Sequence, residues 1–207
     1  DSIIKEIEKA REKAKTSDYW ANWWQVYGLG NVGSLDGVVF DNWKTIDKLP
    51  SEARLIGIGL DFGYTNDPTA IVEVYKYNDV RILNEVCYRT GMVNNDISNT
   101  LPRSVKVYAD SAEPKSIEEI RRTGVYILPV KKGRDSIMFG ISTMQSQNYL
   151  VTSNSLNLIK ELRSYTWDKD KSGNKLNKPI DKFNHAIDAI RYNVYYHLGR
   201  NFSIEIR

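Results

Sequence analysis

The pattern of the chain predicts a mixed α/β domain behind an N-terminal appendage. Two observations predict it: three apolar, β-rich runs follow one another from residue 55 before any helical period begins, and strands then alternate with helices towards the C-terminus. The first implies an antiparallel meander and the second implies parallel crossovers, so the expected core is a mixed five-stranded sheet flanked by helices. At 207 residues the chain is long enough to bury a substantial core.

Taken in order, Ser2–Lys15 sets Ile3, Ile4, Ile7, Ala10 and Ala14 among Lys and Glu at helical spacing, which predicts an amphipathic helix. Asp18–Pro50 is rich in Trp, Tyr and Gly without a sustained period and reads as a linker. Residues 1–50 are thus the appendage and 51–207 the domain. Because the chain opens without Met inside a charged helix, it is expected to continue a longer polypeptide upstream. Leu55–Phe62, Ala70–Tyr77 and Val80–Arg89 have strand composition, with Asn78 and Asp79 as the turn between the second and third. A short helix over Asn94–Leu101 is followed by the apolar strand Val105–Ala109. Pro114, suited to a first helical position, opens a helix that Gly124 ends. Val125–Val130 is the fifth strand. Helices are expected at Ser136–Gln147, Leu156–Tyr165 and Asp181–Leu198, with a short apolar segment Tyr149–Thr152 after the first. Asp168–Lys178 carries lysines around Ser172, Gly173 and Asn174, a composition suited to a hairpin.

The formal charge of +3 is too mild to announce a nucleic-acid partner by itself. The single cysteine, Cys87, cannot form an internal disulfide, which points to a reducing, intracellular setting. No apolar run approaches the roughly 20 residues that span a bilayer, so no membrane partner is expected. Gly28, Gly30 and Gly33 match the G-x-G-x-x-G dinucleotide fingerprint by letter. That site needs a helix opening beneath the pyrophosphate, and Ser34–Val39 is a poor helix start, so the match is set aside. No phosphate loop of the G-x-x-x-x-G-K-[ST] type occurs.

Three acids stand out. Asp61 ends the run Leu55–Leu60, apolar enough for the middle of a sheet, where an unpaired carboxylate costs several kcal/mol; a turn at Asp61, Phe62 and Gly63 is the plainer reading. Asp110 follows Val105–Ala109, again at the carboxyl end of an apolar strand, where open α/β sheets bind ligands. Local helix capping is its alternative, although Glu113, directly before Pro114, suits that role better. Asp188 shares a helix face with Asp181 and His185 by spacings of four and three, while Phe183, Ile187, Ile190 and Val194 form the packing stripe. An exposed salt bridge with Arg191 is the alternative there. Jointly the three acids supply what a two-metal phosphodiester site requires: hard oxygen ligands for divalent cations about 4 Å apart, whose charge offsets the mutual repulsion of the acids. His185 is suited to ligating an ion or moving a proton, and equally to packing. Lys131, Lys132 and Arg134, with Lys169, Lys171 and Lys175, fit phosphate contact without sequence readout, against the alternative of solvated loops.

Gly59-Leu60-Asp61-Phe62-Gly63-Tyr64-Thr65-Asn66-Asp67-Pro68, Tyr108-Ala109-Asp110-Ser111-Ala112-Glu113-Pro114-Lys115-Ser116-Ile117 and Asn184-His185-Ala186-Ile187-Asp188-Ala189-Ile190-Arg191-Tyr192 resemble, in order, the three acidic motifs of the nuclease domain of the large terminase subunit of tailed bacteriophages. Pro129–Ile137 joins them, and Tyr27–Gly30 resembles the family's interdomain junction. The resemblance implies an RNase H-like fold, two Mg or Mn ions on Asp61, Asp110 and Asp188, and accessory roles for Asp67, His185 and, less directly, Asp181. It implies cleavage of concatemeric double-stranded DNA in the host bacterial cytoplasm. It also implies a packaging ATPase upstream, of which residues 1–50 would be the tail and linker, and a small terminase subunit and a portal as partners. Asp61–Asn66 also resembles the first phosphate loop of actin, sugar kinases and chaperone ATPases, but a second phosphate loop and an adenosine site are missing from the sequence. A DNA-binding module without catalysis is the third reading, which the presence of all three acids disfavours.

Overall fold

The computed structural model describes residues 37–130, 133 and 136–202, together with residues 8, 11–13, 15 and 24. Most of the expected N-terminal helix, the Gly28–Gly33 segment, and Lys131, Lys132 and Arg134 therefore lie outside the described residues; residues 11–13 are helical. The chain divides into two compact units, residues 1–41 with 162–182, and residues 42–161 with 183–207.

The larger unit is built on a sheet of seven strands, two more than the sequence pattern indicates. These are β1 (Trp43–Ile46), β2 (Arg54–Asp61), β3 (Thr69–Tyr77), β4 (Val80–Arg89), β5 (Val107–Asp110), β6 (Ile127–Val130) and β7 (Tyr149–Thr152), in the spatial order β1-β7-β4-β3-β2-β5-β6. The additional strands are β1, from the stretch read as linker, and β7, the short apolar segment; each has four residues and pairs with the other in parallel. The expected meander is present, since β2, β3 and β4 pair antiparallel and Asn78 turns at φ 50° between the last two. The parallel part is also present, with β5 on β2, β6 on β5 and β7 on β4.

Helices cover both faces: α1 (Asn94–Thr100), α2 (Pro114–Arg122), α3 (Ser136–Gln145), α4 (Leu156–Ser164) and α5 (His185–Phe202). Strand alternation decides what each face buries. Ile58, Leu60, Ile71, Val107 and Ala109 form one buried cluster with Ile97 and Leu101 of the α1 segment and with Ile117 and Ile120 of α2. The residues between them face the other way, towards α5, which packs on β2, β3 and β5. There Gly57 and Gly59 lie beside Val74 and Val72 of β3 in register, and Tyr108 packs with Val130 and Tyr192. Two glycines under a helix allow backbones to approach closely: a Cβ on Gly59 would overlap the Ala189 carbonyl.

α5 also begins later than its polar spacing suggests. Phe183 sits at φ 57°, a left-handed conformation that breaks the helix, and the first intrahelical bond runs from the Asp188 N–H to the Asn184 carbonyl at 2.6 Å. The helix starts at His185, so Asp181 is not on it. In the smaller unit the expected hairpin forms: β8 (Trp167–Lys169) and β9 (Lys175–Pro179) pair antiparallel around Gly173, which takes φ 84°. Val38 bridges Thr166, and Phe40 stacks on Tyr165 at 6.1 Å. Among the described residues no helix is long and apolar enough to cross a membrane.

His197, near the far end of α5, gives the larger unit a testable pH response. Its ring stands edge-on to Tyr108 at 5.3 Å, and its Nε2 is buried without a hydrogen-bond partner among the described residues. Burial, with Arg81 and Lys106 nearby, holds its pKa below 6.5 against a bond to the Ile56 backbone. Below pH 6.5 the unfolded chain therefore takes up a proton that the folded chain resists, and stability is lost as the pH falls. Urea unfolding at pH 7.5 and pH 5 should show wild type losing stability relative to His197→Phe; parallel losses would refute the assignment.

Candidate functional site

Strand alternation also aims the two strand-end acids. From Gly57 onwards β2 presents Gly57, Gly59 and then Asp61 to the α5 face, while β5 presents Tyr108 and then Asp110 to the same face. The two strands are parallel neighbours with Leu60 opposite Ala109, so Asp61 and Asp110 emerge side by side at their carboxyl ends. α5 adds His185, Asp188 and Tyr192 at successive turns of one face.

The side chains meet as follows. Asp61 Oδ2 lies 3.2 Å from His185 Nδ1, and Asp61 Oδ1 accepts the Tyr192 hydroxyl at 3.3 Å. His185 Nε2 lies 3.7 Å from Asp67 Oδ1, and Asp67 is 70% exposed whereas the side chain of Asp61 is only 15% exposed. Thr69 ties the loop that carries Asp67: its hydroxyl donates to the Gly63 carbonyl at 2.7 Å and accepts the Gly63 N–H at 3.3 Å. Asp188 Oδ1 accepts from Arg191 Nη2 at 2.8 Å and Nε at 3.2 Å. Asp110 Oδ1 accepts the Ala112 N–H at 3.1 Å, a local bond, but the capping position of α2 that was its alternative belongs to Glu113. Glu113 occupies the capping position of α2 but makes no side-chain cap bond.

Tyr192 reports on the convergence. Its hydroxyl pKa is raised by burial first and then by the charges of Asp61, Asp188 and Asp110, against Arg191. All three carboxylates thus act on one buried phenol, which is 2% exposed. The His185 pKa is raised, first by its hydrogen bond to Asp61 and then by the charges of Asp61, Glu161 and Asp67, with burial opposing.

The donor set suits a hard divalent cation in kind, being carboxylate oxygens gathered at one end of a sheet. As placed, however, no group of three or more His, Cys, Asp or Glu side chains among the described residues is arranged to hold a metal ion. Asp188 Oδ1 is turned onto Arg191, and the Asp61 oxygens onto His185 and Tyr192.

Asp181 is exposed and belongs to the smaller unit, as do Lys169, Lys171 and Lys175, exposed in or beside its hairpin. The salt bridge expected of Asp188 exists but is not on an exposed face, since Arg191 is 3% exposed. Tyr192 and Glu161 were not among the expected residues. Glu161 had a signal: it falls between Leu158 and Leu162 at the buried spacing of an amphipathic helix, a position where a carboxylate is anomalous.

Comparison with known proteins gives the following likenesses. The family model described as the terminase RNase H-like domain matches residues 61–195, a span that contains Asp61, Asp110, His185 and Asp188. The terminase large subunit of Bacillus phage SPP1 is 30% identical over 179 residues, covering 79% of this chain and 42% of that protein. The chain therefore spans less than half the length of that relative. Among solved structures, the large terminase nuclease domain of bacteriophage SPP1 with bound Mn superposes with a TM-score of 0.67 at 24% identity, covering 76% of this chain and 97% of that one. The large terminase of the thermophilic bacteriophage D6E in complex with ADP gives 0.65 at 20% identity, covering 82% of this chain and 47% of that one. At these identities the structural likeness shows a shared fold.

Proposed function

The chain belongs to the terminase RNase H-like domain family, and from that premise we propose that it is a metal-dependent endonuclease domain that cuts concatemeric double-stranded viral DNA during genome packaging. The observation that carries this reading is that Asp61 and Asp110 leave neighbouring parallel strands at the same end, while α5, which carries Asp188, packs on both strands. In this reading the three acids hold two divalent cations, Mg or Mn. When bound, such ions polarise a phosphodiester, lower the pKa of an attacking water and stabilise the leaving oxygen.

The chain's own residues do the rest. Gly57 and Gly59 let α5 lie close on β2, which keeps Asp188 near the strand ends. His185 in its neutral form holds its proton on Nδ1 towards Asp61, fixing the tautomer and leaving Nε2 facing the exposed Asp67, from which a proton can be passed to solvent. Arg191 neutralises Asp188 and keeps it ordered until a cation competes for the carboxylate. Lys131, Lys132 and Arg134, with Lys169, Lys171 and Lys175, are assigned to gripping phosphates without reading bases. Apart from β1, the segment before residue 51 is the tail and linker of a packaging ATPase in the same polypeptide. The small terminase subunit and the portal are the further partners, and the host bacterial cytoplasm is the place of action.

Incubation with supercoiled plasmid tests this directly. Mn is expected to yield nicked and linear DNA of no fixed sequence, and chelator is expected to leave the plasmid intact. DNA bound in a mobility shift yet uncut at any Mn concentration would assign the chain to a binding module instead.

A further inference from the structure

The placement of His185 and Asp188 depends on where α5 begins, and the group that fixes that beginning lies on another helix. Glu161 of α4 is 1% exposed. Its Oε1 accepts the His185 backbone N–H at 3.0 Å and the Tyr88 hydroxyl at 2.8 Å, and its Oε2 accepts the Ile187 N–H at 3.1 Å. These are amides of the first turn, which an α-helix leaves without intrahelical acceptors. The positive end of an 18-residue helix and three donors surround a carboxylate that would otherwise be costly to bury.

α4 is itself fixed from the sheet. Glu85 of β4 accepts the Leu158 N–H through Oε2 and the Asn157 side-chain amide through Oε1, both at 2.7 Å. The Glu85 N–H donates to Ser155 Oγ at 2.8 Å. Two carboxylates thus link β4 to α4 and α4 to α5, and Tyr88 of β4 closes the path on Glu161.

We propose that Glu161 is a positioning residue for the candidate site: by holding the His185 and Ile187 amides it sets the height and rotation of the first turn of α5, and so keeps His185 against Asp61 and Asp188 ready to accept a cation. This rests on the reading of Asp61, Asp110 and Asp188 as cation ligands. Burial pushes the Glu161 carboxyl up to about 7 against the pull of Tyr88 and the Ile187 amide, so these donors are what favour its ionised form.

Glu161→Gln keeps the volume but turns an NH2 group towards one of the three donors, and Glu161→Ala removes every acceptor. Both are expected to weaken Mn binding in calorimetry and to slow plasmid nicking by about 10–100-fold, the usual penalty for losing a partner behind a metal ligand. Tyr88→Phe, which spares both amide bonds, should stay within a few-fold of wild type. A general packing role would instead lower the melting temperature and leave Mn affinity at temperatures below it unchanged. In amide NMR of the wild-type protein the His185 and Ile187 protons should lie downfield and exchange slowly. Ordinary shifts there, or Glu161→Gln binding Mn as wild type does, would overturn the proposal. If wild type neither binds Mn nor cuts DNA, the cation reading fails, and the two amide protons still decide whether Glu161 positions α5.

Discussion

Gly59→Ala is expected to cost at least about 3 kcal/mol of stability, lowering the melting temperature by about 6–12 °C, and to take metal-dependent cleavage with it. A methyl group at this position would overlap the carbonyl carbon and oxygen of Ala189 and stand 3.1 Å from its Cα. All three are backbone atoms, so no rotamer change relieves the clash. Either α5 lifts from β2 or the strand bows, and Val72, Val74 and Tyr192, all at most 2% exposed, lose packing in consequence. The same displacement carries His185 and Asp188 away from Asp61, since they sit on the turn before Ala189. Gly133→Ala is the control for melting alone, because a Cβ there meets nothing within 4 Å among the described residues. Equal melting curves for Gly59→Ala and wild type would mean that α5 does not lie this close to the sheet.

That close approach also explains how much of the site could be read from sequence. In Gly57, Ile58, Gly59, Leu60 and Asp61 the acid shares the face of the glycines, and in Val107, Tyr108, Ala109 and Asp110 it shares the face of the large Tyr108. Period two is local, so it marks both the strands and the side on which each acid emerges. β1 and β7 have no comparable signal. Trp43–Ile46 lies in a stretch rich in Trp, Tyr and Gly with no sustained period, and β1 is a strand only because Trp43 finds Tyr149 more than a hundred residues later. The start of α5 departs from the sequence pattern for a related reason. Asp181, His185 and Asp188 have helical spacing, but a left-handed Phe183 and the bonds from Glu161 to the His185 and Ile187 amides fix the boundary, and those are tertiary facts. Strand ends and a helix face point to the three acids in the sequence, and Arg191 is legible there as a partner for Asp188 and Glu161 as a carboxylate at a buried spacing; the bond from Tyr192 to Asp61 and those from the α5 amides to Glu161 are visible only in the packed molecule.

Asp110→Asn should separate catalysis from folding more cleanly than the same change at Asp61 or Asp188. Each substitution is expected to lower the plasmid cleavage rate by at least about 1,000-fold, because losing a carboxylate ligand removes several kcal/mol of transition-state stabilisation. Their effects on stability should differ. In Asp110→Asn the amide oxygen can still accept the Ala112 N–H, and removing one of three charges that bear on Tyr192 relieves repulsion, so without metal the melting temperature should hold or rise. Asp188→Asn leaves Arg191, 3% exposed, facing a neutral amide, and should lose stability as well as activity. Asp61→Asn falls between them, since the new side chain keeps an acceptor for Tyr192 but lacks the charge that holds His185. Adding Mn supplies the second axis: a ligand that binds only the folded state raises the melting temperature, so wild type should gain on titration and Asp110→Asn should not. An Asp110→Asn protein that cuts plasmid at the wild-type rate, or gains as much stability from Mn as wild type does, would remove Asp110 from the set of cation ligands.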